Sequence, residues 1–266
     1  MKQASGTVPP PPELVAKGIF KSFGAFQALH DVDVTIFPGR VTAFVGPNGA
    51  GKTTLFHILS GNLRADRGQV TLDGSSIIRL QPWQIARKGV GKLYQDVRVF
   101  ENMSVFDNVR AALLTPNDYS IFSACRFWQH SARTRQFRDE AMYYLEYVGL
   151  ADFAEKAGSE LSFGQQKLLA IARLLAHKSR LLLLDEPTAA LSSLMAEKMV
   201  SLINRMIEDR KVSVALIEHN MRTVKSLAFY IYFMHEGTVF CHGTQKCVLE
   251  NPEVRELYMG LSGESL

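Results

Sequence analysis

The sequence has no apolar run long enough to cross a membrane. Its longest, such as Leu181–Leu184, fall far short of the ~20 residues a spanning helix needs. It has only three cysteines, Cys125, Cys241 and Cys247, scattered at no spacing that suits zinc. So few argue against a disulfide scaffold and for a reducing compartment. No secretion signal opens the chain; residues 1–12 are polar and proline-rich and read as a disordered tail. No internal repeat is visible, and no heptad insert interrupts the chain. A net charge of +4 is compatible with nucleic acid or an anionic membrane face but argues for neither. What the chain has in quantity is apolar residues, 47% of 266, enough for a substantial core.

The most informative stretch is 41–55. Val41-Thr-Ala-Phe-Val45 is an apolar, β-prone run that ends in Gly46-Pro47-Asn48-Gly49-Ala50-Gly51-Lys52-Thr53-Thr54 and passes directly into a helix-forming segment. Gly46, Gly51, Lys52 and Thr53 satisfy G-x-x-x-x-G-K-[ST] in the strand–loop–helix context that this motif requires. Glycines allow the backbone to wrap a phosphate with several N–H groups pointing inward, and the helix starting near Lys52 adds the positive end of its dipole. Lys52 is expected to reach the β- and γ-phosphates, and the Thr53 hydroxyl to ligate Mg²⁺.

On the N-terminal side, 14–20 and 28–37 alternate as strands, with Pro38-Gly39 as a turn. Phe23, in the connection between them, is either a hairpin hydrophobe or a platform for an adenine ring. After the loop come a short helix over 55–59 that stops near Gly61, an edge hairpin at 69–74 with an Asp-Gly turn, and a short helix over 82–88. A second buried strand runs from Val90 to Gln95. Gln95 is either a polar strand end or a group that ligates Mg²⁺ or orients water. Ser104 caps a helix over 105–114, and 137–148 forms a second amphipathic stretch. Between them, the aromatic and basic segment 119–135 reads as a surface helix, or more sharply as a partner-facing or membrane-proximal one.

Leu161-Ser162-Phe163-Gly164-Gln165-Gln166-Lys167 then opens a long helix to His177. Arg180-Leu-Leu-Leu-Leu184-Asp185-Glu186 is a run of four leucines closed by two carboxylates, as in a central parallel strand with an acidic C-terminal end. Ligands sit at the carboxyl ends of such strands. Asp185 is therefore placed to hold Mg²⁺, and Glu186 to act as base on the attacking water. A helix over 196–209 and a strand over 212–217 lead to Glu218-His219. A lone histidine is more often structural, but His219 closes a strand on the same edge as Asp185 and Gln95, where a γ-phosphate contact is available. Met221–Ala228 is helical, 229–234 and 238–242 form a hairpin, and 245–260 is mostly helical.

In this order, from about Leu14 to Gly260, the pieces resemble the ATP-binding subunit of ABC transporters. Gly46–Thr54 matches the Walker A loop, Gln95 the Q-loop glutamine, Leu161–Gln165 the signature motif and Leu181–Glu186 Walker B. Ala189–Ser192 matches the D-loop, His219 the switch histidine and Phe23 the adenine-stacking aromatic. Within the family, the aromatic signature, the switch region Leu216-Ile-Glu-His-Asn-Met221 and the C-terminal ending are most similar to the ATPases of branched-chain amino-acid importers. Lipopolysaccharide-export ATPases share much of the tail. Two positions depart from the family pattern: Phe163 replaces the first signature glycine, and Ser192 stands where Asp or Asn is usual.

The resemblance implies an α/β fold: a P-loop NTPase with a RecA-like core, a mostly parallel sheet, an antiparallel β edge and an inserted helical subdomain. It implies a core of 13–97 and 175–244, a helical subdomain at 98–174 and a C-terminal extension at 245–266. ATP and Mg²⁺ are the implied cofactors. The nucleotide ligands are Phe23, 46–54, Ser162, Gly164 and Gln165; Thr53, Gln95 and Asp185 hold the metal; Glu186, His219 and Gln95 serve hydrolysis. Implied partners are membrane permease subunits, docked near Gln95–Asn108, a second ATP-binding subunit paired head to tail, and indirectly a periplasmic or extracellular solute-binding protein. The location is peripheral, on the cytoplasmic face of the cell membrane. A soluble family member acting on nucleic acid is disfavoured by the single set of motifs, and a non-hydrolysing module by the presence of Glu186 and His219.

Overall fold

The computed structural model describes residues 13–114 and 130–262; the expectations for 1–12, for Cys125 and for most of the 119–135 segment lie outside them. The chain forms two compact units, one from the residues up to Lys92 together with those from Arg180 onward, the other from Leu93–Ser179.

The first unit carries two sheets. Strands β1 (Leu14–Phe23), β2 (Phe26–Ile36), β4 (Arg67–Leu72) and β5 (Ser75–Ser76) form a four-stranded sheet in the order β2-β1-β4-β5, antiparallel throughout. Both β1 and β2 reach further into their connection than alternation alone suggests, because Ser22 and Phe23 pair with Gln27 and Phe26 across the turn. Asp73 and Gly74 both take positive φ, 49° and 75°, as a tight hairpin turn demands.

The second sheet has six strands in the order β10-β9-β3-β8-β7-β6: β10 (Thr238–Gly243), β9 (Tyr230–His235), β3 (Val41–Val45), β8 (Ser213–Ile217), β7 (Leu181–Asp185) and β6 (Val90–Leu93). The pairs β3–β8, β3–β9 and β7–β8 are parallel, and β9–β10 is an antiparallel edge. β3, β7 and β8 are buried along their whole length, which is why they read as continuous apolar runs rather than alternating ones.

The period of two still sorts their side chains between two cores. Phe44, Leu181, Leu183, Ala215, Ile217, Tyr232 and Met234 point to the side covered by α1 (Lys52–Leu59) and the antiparallel sheet. Phe44 lies nearly parallel to Tyr232 at 5.4 Å and edge-on to Phe56 at 5.5 Å, the two geometries that aromatic pairs favour. Ala43, Val45, Ile231 and Phe233 face the other side, with Val224 of α7 (Met221–Leu227), Val248 of α8 (Gln245–Leu249) and Val254 of α9 (Pro252–Ser262). Helix α2 (Pro82–Arg87) precedes β6, and α6 (Ser193–Arg210) precedes β8. α6 starts three residues ahead of the sequence expectation because the Ser192 hydroxyl accepts from the Met195 N–H and caps it.

The second unit packs α3 (Val105–Leu113), α4 (His130–Val148) and α5 (Phe163–Ala176) against one another. Fully buried Asn108 ties the preceding turn to α3: its Oδ1 accepts from the Phe100 N–H, and its Nδ2 donates to the carbonyls of Phe100 and Ser104. That turn also lies along the segment leading to α5, through Val105 N–H to the Lys156 carbonyl and Gly158 N–H to the Met103 carbonyl. The start of α5 is thereby held by main-chain bonds.

Candidate active site

The parallel strands deliver their carboxyl ends to one edge of the sheet, and the 46–54 loop, Asp185, Glu186 and His219 follow from those ends. After β3 the chain turns through 46–51 into α1. A Cβ on Gly46 would run into the carbonyl oxygen of Met234 on β9, and one on Gly51 would stand 2.7 Å from the Ala28 carbonyl oxygen. Both take positive φ, 143° and 94°, so glycine is required on two counts. Among the described residues no side chain caps α1, and Gly51 at its N-terminus is left-handed. The first N–H groups of α1 are thus unclaimed by a capping group and suit an anion.

Lys52 is 5% exposed, and its Nζ donates to the carbonyls of Gly46 and Pro47, each at 2.7 Å. Burial pulls its pKa down from 10.5 to about 8, against the opposing pull of Glu186 and Asp185. Thr53 is exposed and Thr54 half-buried on the first turn of α1. Pro47 is half-buried, Asn48 and Gly49 are exposed, and Ala50 is buried.

Asp185, the last residue of β7, is 3% exposed. Burial raises its pKa, Lys92 and Lys52 oppose the rise, and the Glu186 charge adds to it. Glu186 follows with φ 50°, and Ala190 takes φ 59°. A non-glycine residue held in the left-handed region costs about 1–3 kcal/mol and persists only where its surroundings over-determine it. The Glu186 N–H donates to the Ile217 carbonyl at 3.0 Å, joining the chain after β7 to the end of β8. From the end of β8, His219 Nε2 stands 3.1 Å from Glu186 Oε1. Two residues separated by more than thirty positions in sequence are thereby brought into direct contact.

Phe23 ends β1 with its ring 51% exposed and Lys21 Nζ 5.5 Å from the centroid. In the second unit, Gln95 is exposed just beyond β6. Ser162 and Gln165 form a capping box at the start of α5: the Ser162 hydroxyl accepts from the Gln165 N–H, and Gln165 Oε1 accepts from the Ser162 N–H at 2.9 Å. Gly164 is buried, while Phe163 is half-exposed with Lys167 Nζ 4.9 Å from its ring centre.

Neither motif nor resemblance singles out Glu218. It is 2% exposed, and its carboxylate accepts from the main chain of Thr188 at 3.0 Å and from the Thr188 hydroxyl at 2.5 Å. The only sequence signal was an acid at the end of an apolar strand, which does not say what it meets.

Residues 29–189 match the family model described as ABC transporter. The chain is 34% identical to the high-affinity branched-chain amino acid transport ATP-binding protein BraF of Pseudomonas aeruginosa, covering 94% of this chain and 98% of that one. It is 32% identical, at the same coverage, to the corresponding LivG protein of Escherichia coli K12. The chain belongs to the ATP-binding subunits of ABC transporters. Solved relatives agree in fold. A nucleotide-free ATP-binding cassette from an ABC transporter superposes with a TM-score of 0.78 at 28% identity, covering 93% of this chain and 98% of that one. A cassette in its ADP conformation superposes with a TM-score of 0.79 at 27% identity, covering 94% and 99%.

This cassette is therefore a P-loop ATPase that binds nucleotide and hydrolyses ATP. Its phosphate loop carries a pH signature. Below about 8 Lys52 keeps its proton and its charge; above that value the ammonium is progressively lost. A phosphate set against this ammonium would pull the Lys52 pKa back up, and its binding would take up a proton where the free loop has lost it. Titration calorimetry is expected to show affinity falling by up to about tenfold per pH unit above pH 8 and little change from pH 7 to 8. Equal affinity at pH 7.5 and 9.5 would contradict the ammonium as the phosphate contact.

Proposed function

We propose that this ATPase powers the import of branched-chain or other hydrophobic amino acids through docked membrane permease subunits. The observation that carries its hydrolytic role is the 3.1 Å contact between Glu186 and His219, at the ends of two strands adjacent in the sheet that also delivers the Lys52 loop. In this reading Lys52 and the first N–H groups of α1 hold the β- and γ-phosphates. Glu186 takes the proton of the attacking water, and His219 orients that carboxylate and meets the γ-phosphate. Phe23 stacks on the adenine. Ser162, Gly164 and Gln165 present the capped start of α5 to the nucleotide held by a second subunit, an identical copy or a related one.

The Thr53 hydroxyl and the buried Asp185 carboxylate are hard oxygen donors that fit Mg²⁺; among the described residues no cluster of three His, Cys, Asp or Glu side chains competes as a metal site. Thr53 and Asp185 would hold the ion, with Gln95 as the third donor on sequence grounds. When bound, it neutralises phosphate charge. Residues 13–97 and 175–244 act as the ATP-binding core, 98–174 as the signature subdomain that meets the permease near Gln95–Asn108, and 245–266 as a C-terminal extension. No helix among the described residues is long and apolar enough to cross a membrane, so the reading is of a peripheral subunit on the cytoplasmic face, with a solute-binding protein acting indirectly from the far side.

The test is co-expression with the membrane proteins encoded beside it, followed by affinity purification and reconstitution. Recovery of a permease complex whose leucine uptake requires ATP supports the proposal. Recovery with nucleic acid and no membrane protein, or an ATP-driven complex indifferent to hydrophobic amino acids, overturns it.

A further inference from the structure

We propose that Glu218 is a positioning residue that keeps Glu186 and His219 aligned for hydrolysis by tying together the two segments that carry them; this rests on the acid–base reading above. A carboxylate at 2% exposure must be matched by donors, and here both oxygens are. Oε1 accepts from the Thr188 N–H at 3.0 Å and the Thr188 hydroxyl at 2.5 Å. Oε2 accepts from the N–H groups of His219 at 3.2 Å and Asn220 at 3.4 Å. One oxygen therefore grips the segment after β7, two residues past Glu186. The other grips the segment after β8, at His219 itself.

Three features separate this from an ordinary buried acid. Thr188 is itself only 7% exposed, so water is a poor substitute for the lost partner. The gripped segment contains the two left-handed residues Glu186 and Ala190, φ 50° and 59°, which flank Thr188. Such a backbone holds its shape only where something outside it enforces that shape: the Ile217 carbonyl holds the Glu186 N–H, and Glu218 holds Thr188 between the two residues. The beneficiary is one distance, His219 Nε2 to Glu186 Oε1, at 3.1 Å. No phosphate or metal contact is assigned to Glu218; it acts through the pair.

The purified full-length ATPase tests this by steady-state hydrolysis, ATP affinity in calorimetry, and melting. Glu218→Gln keeps the size but turns an NH2 group toward N–H donors. It is expected to lower kcat about 10- to 100-fold while ATP affinity stays within about twofold, because misplacing a catalytic group by about 1 Å has effects of that order. Thr188→Val removes only the hydroxyl bond and should give a smaller loss with the same split between kcat and affinity. If Glu218→Gln does not fold, Thr188→Val decides. Wild-type kcat in a folded variant overturns the proposal, as does a parallel loss of kcat and nucleotide affinity. Glu186→Gln in the same assay separates the two layers. If that variant hydrolyses normally, the acid–base reading fails; if it is inactive while Glu218→Gln is not, only the assignment of Glu218 falls.

Discussion

Glu186→Gln is expected to cut steady-state ATP hydrolysis by about 10²- to 10⁴-fold while ATP still binds, the range by which a positioned general base accelerates proton transfer. Glutamine keeps the length and one acceptor oxygen, so the contact with His219 Nε2 at 3.1 Å has a replacement partner, but an amide does not accept a proton from water. The left-handed backbone at 186 is braced by the Glu186 N–H bond to the Ile217 carbonyl and by the grip of Glu218 on Thr188, and the substitution leaves both alone. The lesion is thus confined to the proton acceptor. Because the nucleotide contacts proposed above lie on Lys52 and the start of α1, calorimetric ATP affinity should be unchanged. Hydrolysis at anything near the wild-type rate would remove Glu186 from the role of base.

Lys52→Ala should have the opposite profile, with binding lost before chemistry is reached. A hydrogen bond to a charged group contributes about 1.5–3 kcal/mol, so losing the ammonium should weaken ATP binding about 10- to 100-fold. Burial lowers the Lys52 pKa to about 8, and at 5% exposure little water shares this charge. The substitution removes the Lys52 Nζ bonds to the Gly46 and Pro47 carbonyls but leaves the close approaches of Gly46 to Met234 and Gly51 to Ala28, so the loop should keep its course. A melting temperature close to wild type together with weakened binding is the expected pair of results. Unchanged affinity would contradict the assignment of the loop.

The two profiles also indicate which parts of the site are legible in a sequence. The phosphate loop is written in nine consecutive residues, Gly46–Thr54, and its geometry is local: a strand, a turn that glycines permit, and a helix start. The four leucines before Asp185 announce a strand buried on both faces, and the carboxylates at its end announce a ligand edge. The six-stranded order of the sheet follows from neither, because β3 lies between β8 and β9 through pairings such as Val41 with Val214 and Thr42 with Tyr230, far apart in sequence. The same reason hides Glu218, whose partner Thr188 is thirty residues upstream and could be any buried donor.

Element ends were legible only where a cap is local. Ser104 and Ser162 cap α3 and α5 through the N–H three residues on. Ser192 does the same for α6, but a D-loop reading directs attention to what it lacks, a carboxylate, and away from the hydroxyl that starts the helix. Helix α4 begins at His130, earlier than the amphipathic pattern from 137 suggests, because the 130–136 sequence has no apolar stripe to advertise a helix.

The left-handed backbone at 186 and 190 has a consequence for how this cassette would evolve in the laboratory. Glycine relaxes either position, so a population propagated only for survival of heating should drift toward glycine at both. Add a demand for ATP-driven growth, and only position 190 remains free to change; the conflict between durability and work is then concentrated in one codon.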